Sequence, residues 1–224
     1  MYFTHKKWGL LTGYSIILMA LVAGFVYGHV HASIYIVDNS DLTARLLQEN
    51  IDLYKWGIVS WILIFLLDLI VSIGIYIIYK DDLKLLALLS STLRVIYTII
   101  LGIAVAQLII PLINYSEVSK SILYFESFEQ IWSLGLIIFG ILLLSLGVMC
   151  FKSDLTPKFF GIFLGFGGLC YILVHNLKSF FPYLGEATLT IESILVAPMA
   201  LSELSFALWL IVKFSRLKIR KNRY

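Results

Sequence analysis

The amino-acid sequence predicts an all-α, polytopic membrane protein with six transmembrane helices in a single bundle and both termini on the cytoplasmic side. Of its 224 residues, 60% are hydrophobic and 14% are charged, whereas a soluble domain has about 25% charged residues. The apolar residues form six continuous runs, each long enough to cross about 30 Å of hydrocarbon as a helix. Continuous runs favour helices over alternating strands. The net charge of +3 is too small to indicate a nucleic-acid partner, so membrane lipids are the expected surroundings.

The six predicted spans follow one another along a single domain, residues 1–224. They lie at about 8–28, 56–79, 85–113, 131–151, 159–180 and 193–214. The first run is longer than the 7–15 residues of a signal-peptide core, which predicts an uncleaved helix. The turns at 80–83 and 152–157 are too short for a domain and predict two antiparallel helical hairpins.

The distribution of Lys and Arg predicts the orientation. The predicted external loops carry Arg45, Lys55, Lys120 and Lys178. Twelve basic residues fall on the other side: Lys6, Lys7, Lys80, Lys84, Lys152, Lys158, Lys213, Arg216, Lys218, Arg220, Lys221 and Arg223. We interpret the basic tail as a topology anchor rather than a lipid-headgroup site.

Between the first two spans, the sequence predicts a short helix on the outer surface. Asn39, Ser40 and Asp41 are suitable N-cap residues. An apolar stripe follows, formed by Leu42, Leu46, Leu47 and Ile51. This stripe is expected to lie on the membrane or to cap the bundle.

Three ionisable residues lie well inside predicted spans: Asp68, Arg94 and Glu203, which we call the charge cluster. Each lies more than roughly 12 Å from the nearest span end, where an ionised group costs at least about 2.5–3.5 kcal/mol. We therefore expect them to face the bundle interior, with Arg94 paired to one or both acids. Polar residues at helical spacing accompany them: Ser72 and Tyr76 after Asp68, and Ser90 and Thr98 around Arg94.

The charge cluster has two carboxylates and one guanidinium, a formal surplus of −1. One acid is expected to be ionised on Arg94 and the other to be available for a proton. A functional interpretation is a proton or ion relay, or the anchor of a polar substrate cavity. A structural interpretation is an ion cluster that fixes helix register. The sequence leaves both open.

Histidines and cysteines give weaker signals. His29, His31 and His175 lie near outer span ends, where Asp38 or Glu186 could add an oxygen ligand to a metal site. Interfacial histidines with satisfied hydrogen bonds are the better interpretation, so neither a metal nor a cofactor is predicted. Both cysteines, Cys150 and Cys170, lie in apolar runs and are expected to be buried thiols.

Small residues and aromatic residues are interpreted as structural. The ladders Gly9-x-x-x-Gly13, Ala20-x-x-x-Gly24-x-x-x-Gly28 and Gly161-x-x-x-Gly165 predict close helix packing within the chain. The residues expected at the membrane interfaces are Trp8, Trp56, Trp132 and Tyr224.

Several segments in order resemble the bacterial membrane family known as domain of unknown function 4386. The second half carries the resemblance, through Phe139-Gly140, Leu144-Ser145-Leu146-Gly147, Lys152-Ser153, Pro157-Lys158-Phe159-Phe160-Gly161-Ile162, Gly167-Gly168-Leu169-Cys170-Tyr171 and Ser202-Glu203-Leu204-Ser205-Phe206-Ala207-Leu208-Trp209-Leu210. The first half is similar only at Gly13-Tyr14, Asp68 and Arg94. The chain departs at Ile141-Leu142 and Ile172-Leu173-Val174, where the family often has Leu-His and an acid after the tyrosine. The resemblance implies a multi-span protein of the bacterial cytoplasmic membrane and no particular activity.

Three classes of function remain open from the sequence. The first is small-molecule or ion/proton-coupled transport around the charge cluster, with Pro111 and Pro198 helping to break helices around a cavity. The second is an intramembrane lipid-binding or lipid-modifying protein, although no His/Cys/Asp cluster at one depth supports an enzyme. The third is a non-catalytic partner or sensor subunit. A homo-oligomer or another membrane partner is compatible with each, and the ligand is not indicated.

Overall fold

A computed structural model describes the backbone of residues 2–216 and the side chains of residues 4–114 and 118–216. Over that range the chain forms six numbered helices and no β-strand. They are α1 (Tyr2–Phe25), α2 (Ser40–Glu49), α3 (Ile51–Ile113), α4 (Ser121–Lys152), α5 (Lys158–Phe180) and α6 (Gly185–Ser215). The basic tail beyond Arg216 and Tyr224 lie outside the described residues.

Helix α3 contains two of the predicted spans. Five segments of the described chain are helical, long and apolar enough to cross a membrane, and α3 is the longest at 63 residues. At Leu83 the backbone leaves helical geometry (φ −135°, ψ 63°), and the arms 51–82 and 84–113 fold back on each other. Tyr54 Oη in the first arm donates a 2.6 Å hydrogen bond to the Leu108 carbonyl in the second. The predicted six-span, all-α bundle is therefore confirmed, while the membrane side of the termini stays a prediction.

One of the two predicted interhelical turns is shorter in the structure, and the other is present as predicted. The predicted turn Lys80–Leu83 is confined to Leu83, because lysine and aspartate are tolerated in a helix and do not end one. The second turn, at 153–157, is present, and Ser153 Oγ accepts a 3.1 Å hydrogen bond from the Leu155 amide. Helices α4 and α6 begin several residues before the spans predicted at 131 and 193.

Both described chain ends lie at one end of the bundle, which we call the inner end. Lys6 Nζ donates a 3.4 Å hydrogen bond to the Ser215 carbonyl. The two interhelical turns at Leu83 and 153–157 lie there as well, and Ser153 donates a hydrogen bond to Asp82. We call the opposite end, which carries α2, the outer end.

Helix α2 confirms the predicted surface helix and caps the outer end. The Asn39 side chain accepts a 3.0 Å hydrogen bond from the Leu42 amide, as an N-cap does. Leu47 is fully buried, at 0% exposure. Thr43 Oγ1 both accepts from the Ile36 amide (3.0 Å) and donates to the Ile36 carbonyl (3.2 Å), which fastens α2 to the preceding segment.

Helix α1 is continued by a π-helical turn, Val26–His31, and a last helical turn, Ala32–Ile34, and the name α1 is used below for all three segments. Such wider turns occur mostly singly and often at functional sites. Here the turn buries His31 between the rings of Phe125 and Phe128 of α4, at centroid distances of 5.1 and 5.5 Å.

Glycines set the close packing of α4 against α5. A Cβ added at Gly140 would lie 2.7 Å from the Gly168 carbonyl oxygen, and one at Gly147 would lie 2.7 Å from the Gly161 carbonyl oxygen. Such distances are shorter than van der Waals contact, so only glycine allows these two backbones to approach so closely. Both helices also contribute residues to the cavities described below.

Candidate functional site

Arg94 is held between both acids of the charge cluster. Its Nε donates to Asp68 Oδ1 and its Nη1 donates to Glu203 Oε1, both at 2.7 Å. The guanidinium is almost fully buried, at 1% exposure, and its Cζ lies 5.6 Å from the centroid of the Phe139 ring. Arg94 thus has the pairing that the sequence predicts, with both acids at once.

Three separate elements bring these charges to one level. Asp68 lies in the first arm of α3 and Arg94 in the second, where the fold-back at Leu83 places them side by side. Glu203 comes from α6. Since each ionised group would be costly alone in hydrocarbon, their mutual pairing lets all three be accommodated inside the bundle.

The polar residues that accompany the charge cluster mostly join helices. Ser72 and Ser91 each donate a hydrogen bond to the other's backbone carbonyl, at 2.9 and 2.8 Å. Ser90 and Ser145 pair through their hydroxyls at 2.9 Å. Thr98 donates to the Arg94 carbonyl at 2.8 Å.

Tyr76, predicted beside the charge cluster, is half-buried against the hydrophobic core. Ser72, Ser90 and Thr98 form the contacts described above, and the walls of the cavity beside the cluster are formed by other residues. Among these four positions, Ser72 and Ser90 join elements of the bundle, and none of the four lines that cavity.

A cavity of about 230 Å³, which we call the inner chamber, reaches the charge cluster. Asp68, Arg94 and Glu203 form its polar wall. The other lining residues are Ile16, Met19, Ala20, Ala23, Ile64, Tyr97, Trp132, Leu136, Phe139, Tyr171, Met199, Ala200 and Leu204. Glu203 is the more exposed acid, at 17% against 3% for Asp68.

A larger cavity of about 590 Å³, the outer chamber, lies nearer the outer end. Residues of α1, α4, α5 and α6 line it, and four of them also line the inner chamber: Trp132, Leu136, Tyr171 and Met199. Its volume is within the range of small-molecule pockets, about 300–1,000 Å³. The two chambers therefore adjoin, and the inner chamber is the one that reaches the charge cluster.

Paired polar groups line the outer chamber. Lys178 Nζ lies 2.6 Å from Glu192 Oε1, and Ser133 Oγ lies 3.0 Å from His175 Nδ1. Glu129 receives a 3.4 Å hydrogen bond from Tyr27 Oη.

The imidazole of His31 also meets Glu129. Its Nε2 lies 2.9 Å from Glu129 Oε1, at an ion-pair distance but out of line for a good hydrogen bond. The acid at the mouth of the chamber is therefore held by two side chains of α1.

The three histidines proposed as weak metal candidates are not brought together. His31 contacts Glu129, His175 pairs with Ser133, and His29 packs its ring 5.9 Å from that of Phe25. Among the described residues, no group of three or more His, Cys, Asp or Glu side chains is arranged to hold a metal ion. Both cysteines are buried free thiols, and Cys150 lies 3.6 Å from Tyr79 Oη.

Trp132 has a role beyond the sequence interpretation. The sequence predicts it at the membrane interface, and the structure adds that its side chain lines both chambers, with its ring 4.8 Å from that of Tyr27. Trp56, by contrast, is 65% exposed, and its interfacial position stays a prediction. The chamber residues Tyr97 and Tyr171 were also missed as site residues, although Tyr97 lies one helical turn after Arg94 and signals the same face.

Fold and site together define a class: helical membrane proteins in which a buried Asp–Arg–Glu cluster lies at the end of an aromatic-walled cavity. The model of the family described as domain of unknown function (DUF4386) matches residues 11–213, and the chain belongs to this family. An uncharacterized protein from Archaeoglobus fulgidus is 28% identical over 162 residues, which cover 72% of this chain and 86% of that protein. No solved structure matches the chain.

Proposed function

We propose that the protein binds a small organic cation at the charge cluster in exchange for a proton, as the binding step of membrane transport. The observation that carries this proposal is the inner chamber, which ends on a cluster with one more carboxylate than guanidinium. A surplus charge of this kind in a low-dielectric site needs a partner, either a proton or a cationic ligand.

The sign of the surplus favours a cation over an anion. Arg94 already bonds to both acids, so an anionic ligand would have to displace Asp68 or Glu203 and leave a buried carboxylate unpaired. A cation needs no such displacement. It approaches Glu203, the acid with the greater exposed fraction, and neutralises the cluster in place of the proton.

The walls of the inner chamber suit an organic cation rather than a hydrated metal ion. Tyr97, Phe139, Tyr171 and Trp132 contribute aromatic rings to the chamber. A cation over such a ring gains about 0.5–2 kcal/mol, with the larger values in desolvated sites. Few oxygen ligands are present to replace a metal ion's water shell.

The packing at the inner end supports an outward-facing arrangement of the site. Below the charge cluster, a Cβ at Gly13 would lie 2.7 Å from Ile211 Cγ1, so α1 and α6 touch closely. Tyr79 Oη and Thr156 Oγ1 are hydrogen-bonded at 2.6 Å beside the inner turns. Transport therefore requires a second conformation that opens this end, as in alternating access.

The test is binding of tetraethylammonium, which is small enough for the inner chamber, to the purified protein in lipid nanodiscs at pH 6, 7 and 8, measured by calorimetry with protein-free nanodiscs subtracted. Competition with a proton predicts that the Kd falls as the pH rises, by up to tenfold per pH unit, because deprotonation frees the negative site. Glu203→Gln should weaken binding at least tenfold and remove the pH dependence.

The matched control is Glu186→Gln, the same change at the exposed outer start of the same helix. It should bind like the wild type. Binding that is absent from the wild type, or that is equally strong and pH-dependent in Glu203→Gln, would overturn the proposal.

A further inference from the structure

Helices α1 and α6 touch in their inner halves and separate in their outer halves. On α1, Gly9 packs on Phe214 and Gly13 on Ile211 and the Ala207 carbonyl. At Gly24 and Gly28, farther along α1, an added Cβ would meet no atom within 4 Å. The separation begins at the level of Ala20, which lines the inner chamber.

The inner chamber extends between the separated halves of α1 and α6. Ala20 and Ala23 of α1 and Ala200 and Leu204 of α6 line the inner chamber on its two sides. We call this space the lateral gap. Its walls are short aliphatic side chains, and Gly24 at its edge is exposed.

We propose that the ligand reaches the charge cluster from the outer leaflet through the lateral gap and is a single-chain cationic amphiphile. This inference rests on the proposed cation site and assigns its substrate class. The apolar walls of the gap accept a hydrocarbon chain without desolvating any polar group. The headgroup of such a molecule is placed at Glu203, whose surplus charge it complements.

The outer chamber is less suited to a hydrocarbon chain. Its walls carry polar side chains, each with a polar partner: Lys178, Glu192, Glu129 and His175. An apolar group that covered these pairs would remove water from them or break their contacts. A water-soluble cation has no such difficulty there. The two routes are therefore distinguishable by the apolar content of the probe.

The experiment compares dodecyltrimethylammonium with tetramethylammonium in nanodiscs, with binding to protein-free nanodiscs subtracted. Gly24→Trp places a bulky ring at the gap in a position with open space around the Cβ. It should weaken dodecyltrimethylammonium binding at least tenfold and leave tetramethylammonium binding within twofold. Gly24→Leu, a smaller obstruction that stresses the fold less, should give an intermediate loss.

Gly165→Trp is the matched control, because it is the same change at a helical glycine of α5 that also has open space around its Cβ. Both cations should bind it within twofold of the wild type. Equal loss of both cations in the Gly24 variants, or no loss of either, would overturn the lateral route while leaving the cation site intact. If the wild type binds neither cation, the proposed function fails as well.

Discussion

The two halves of the α1–α6 pair use the same residue type with opposite results. In the inner half, Gly9 and Gly13 let Phe214 and Ile211 approach until no Cβ would fit. In the outer half, Gly24 continues the same face of α1 but meets nothing. A small-residue ladder therefore permits close helix approach without enforcing it. Whether two helices touch along the ladder depends on the other helices against which each of them packs.

The separation has a visible cause on each side. The outer part of α1 packs on the first arm of α3, where Val30 Cγ1 would lie 2.9 Å from a Cβ at Gly57. The outer part of α6 packs instead on α5, through Met199 against Cys170 and Val174. Pro198, beside Met199, has no amide hydrogen to donate to the residue one turn before it, which loosens α6 at this level.

The largest effect is expected at Arg94, which lines the inner chamber together with Ala20, where α1 and α6 begin to separate. Arg94→Leu leaves Asp68 and Glu203 buried without their cation and should lower the free energy of unfolding by about 3–5 kcal/mol. Replacing all three residues by leucine strands no charge and should restore most of that loss. Unfolding by SDS titration from mild detergent measures both. An Arg94→Leu variant as stable as the wild type would contradict the pairing of Arg94 with the two acids.

The control for Arg94 is Arg45→Leu. Arg45 lies on the exposed face of α2, 3.7 Å from Glu49, where an ion pair contributes about 0.2–1 kcal/mol at most. Its removal should leave the unfolding transition nearly unchanged.

A paired substitution tests the two halves of α1 directly. Gly13→Leu should destabilise the protein by about 1–3 kcal/mol, since the new side chain collides with Ile211. Gly24→Leu should be neutral or stabilising by up to about 1 kcal/mol, because leucine favours a helix more than glycine does and the space is open. Thermal unfolding of both variants gives the difference. If both cost the same, the outer half is closed in the membrane.

Tyrosines in the two halves should differ less. Tyr79→Phe removes a 2.6 Å buried hydrogen bond to Thr156 at the inner end and should cost about 1–1.5 kcal/mol. Tyr27→Phe removes a 3.4 Å bond to Glu129 beside the open outer chamber, where water can replace it, and should cost under about 0.5 kcal/mol. The same unfolding assay compares them, and the reverse order would show that the outer chamber is dry.

The orientation of the chain in the membrane decides which leaflet the separated outer halves of α1 and α6 face. Testing it involves no change in stability. The twelve-to-four distribution of Lys and Arg predicts that both termini are cytoplasmic, so the lateral gap opens to the external leaflet. Reporter fusions after Tyr224 and in the loop after α1 should be active on opposite sides. A C-terminal fusion active only outside would reverse the assignment.

The sequence predicted the parts of this molecule that depend on local pattern and on charge. Apolar runs gave the helices, and the cost of burying ions predicted the pairing of Arg94 with its acids. The kink at Leu83 was narrower than predicted, because Asp81 and Asp82 are compatible with a helix as well as a turn. The open space at Gly24, where the ladder predicts close packing, and the inward direction of Trp132 were not predicted for one reason: each depends on the position of a helix distant in sequence.

The two chambers could not be predicted from the sequence. Each is a space between helices that pack against other parts of the bundle. Nothing in the local sequence around Met199 or Tyr171 distinguishes a chamber wall from a lipid-facing position. The roles of these residues follow only from the tertiary positions of α5 and α6.

The hairpin of α3 also has a consequence for biogenesis. Asp68 and Arg94 lie in the two arms of one helical hairpin and are 26 residues apart, so the two charges leave the ribosome close together and can enter the bilayer as a neutral pair. Glu203 is synthesised 109 residues after Arg94. The hairpin can therefore insert as one unit. Its Arg94 guanidinium then still lacks its second carboxylate, and α6 packs where Glu203 supplies it.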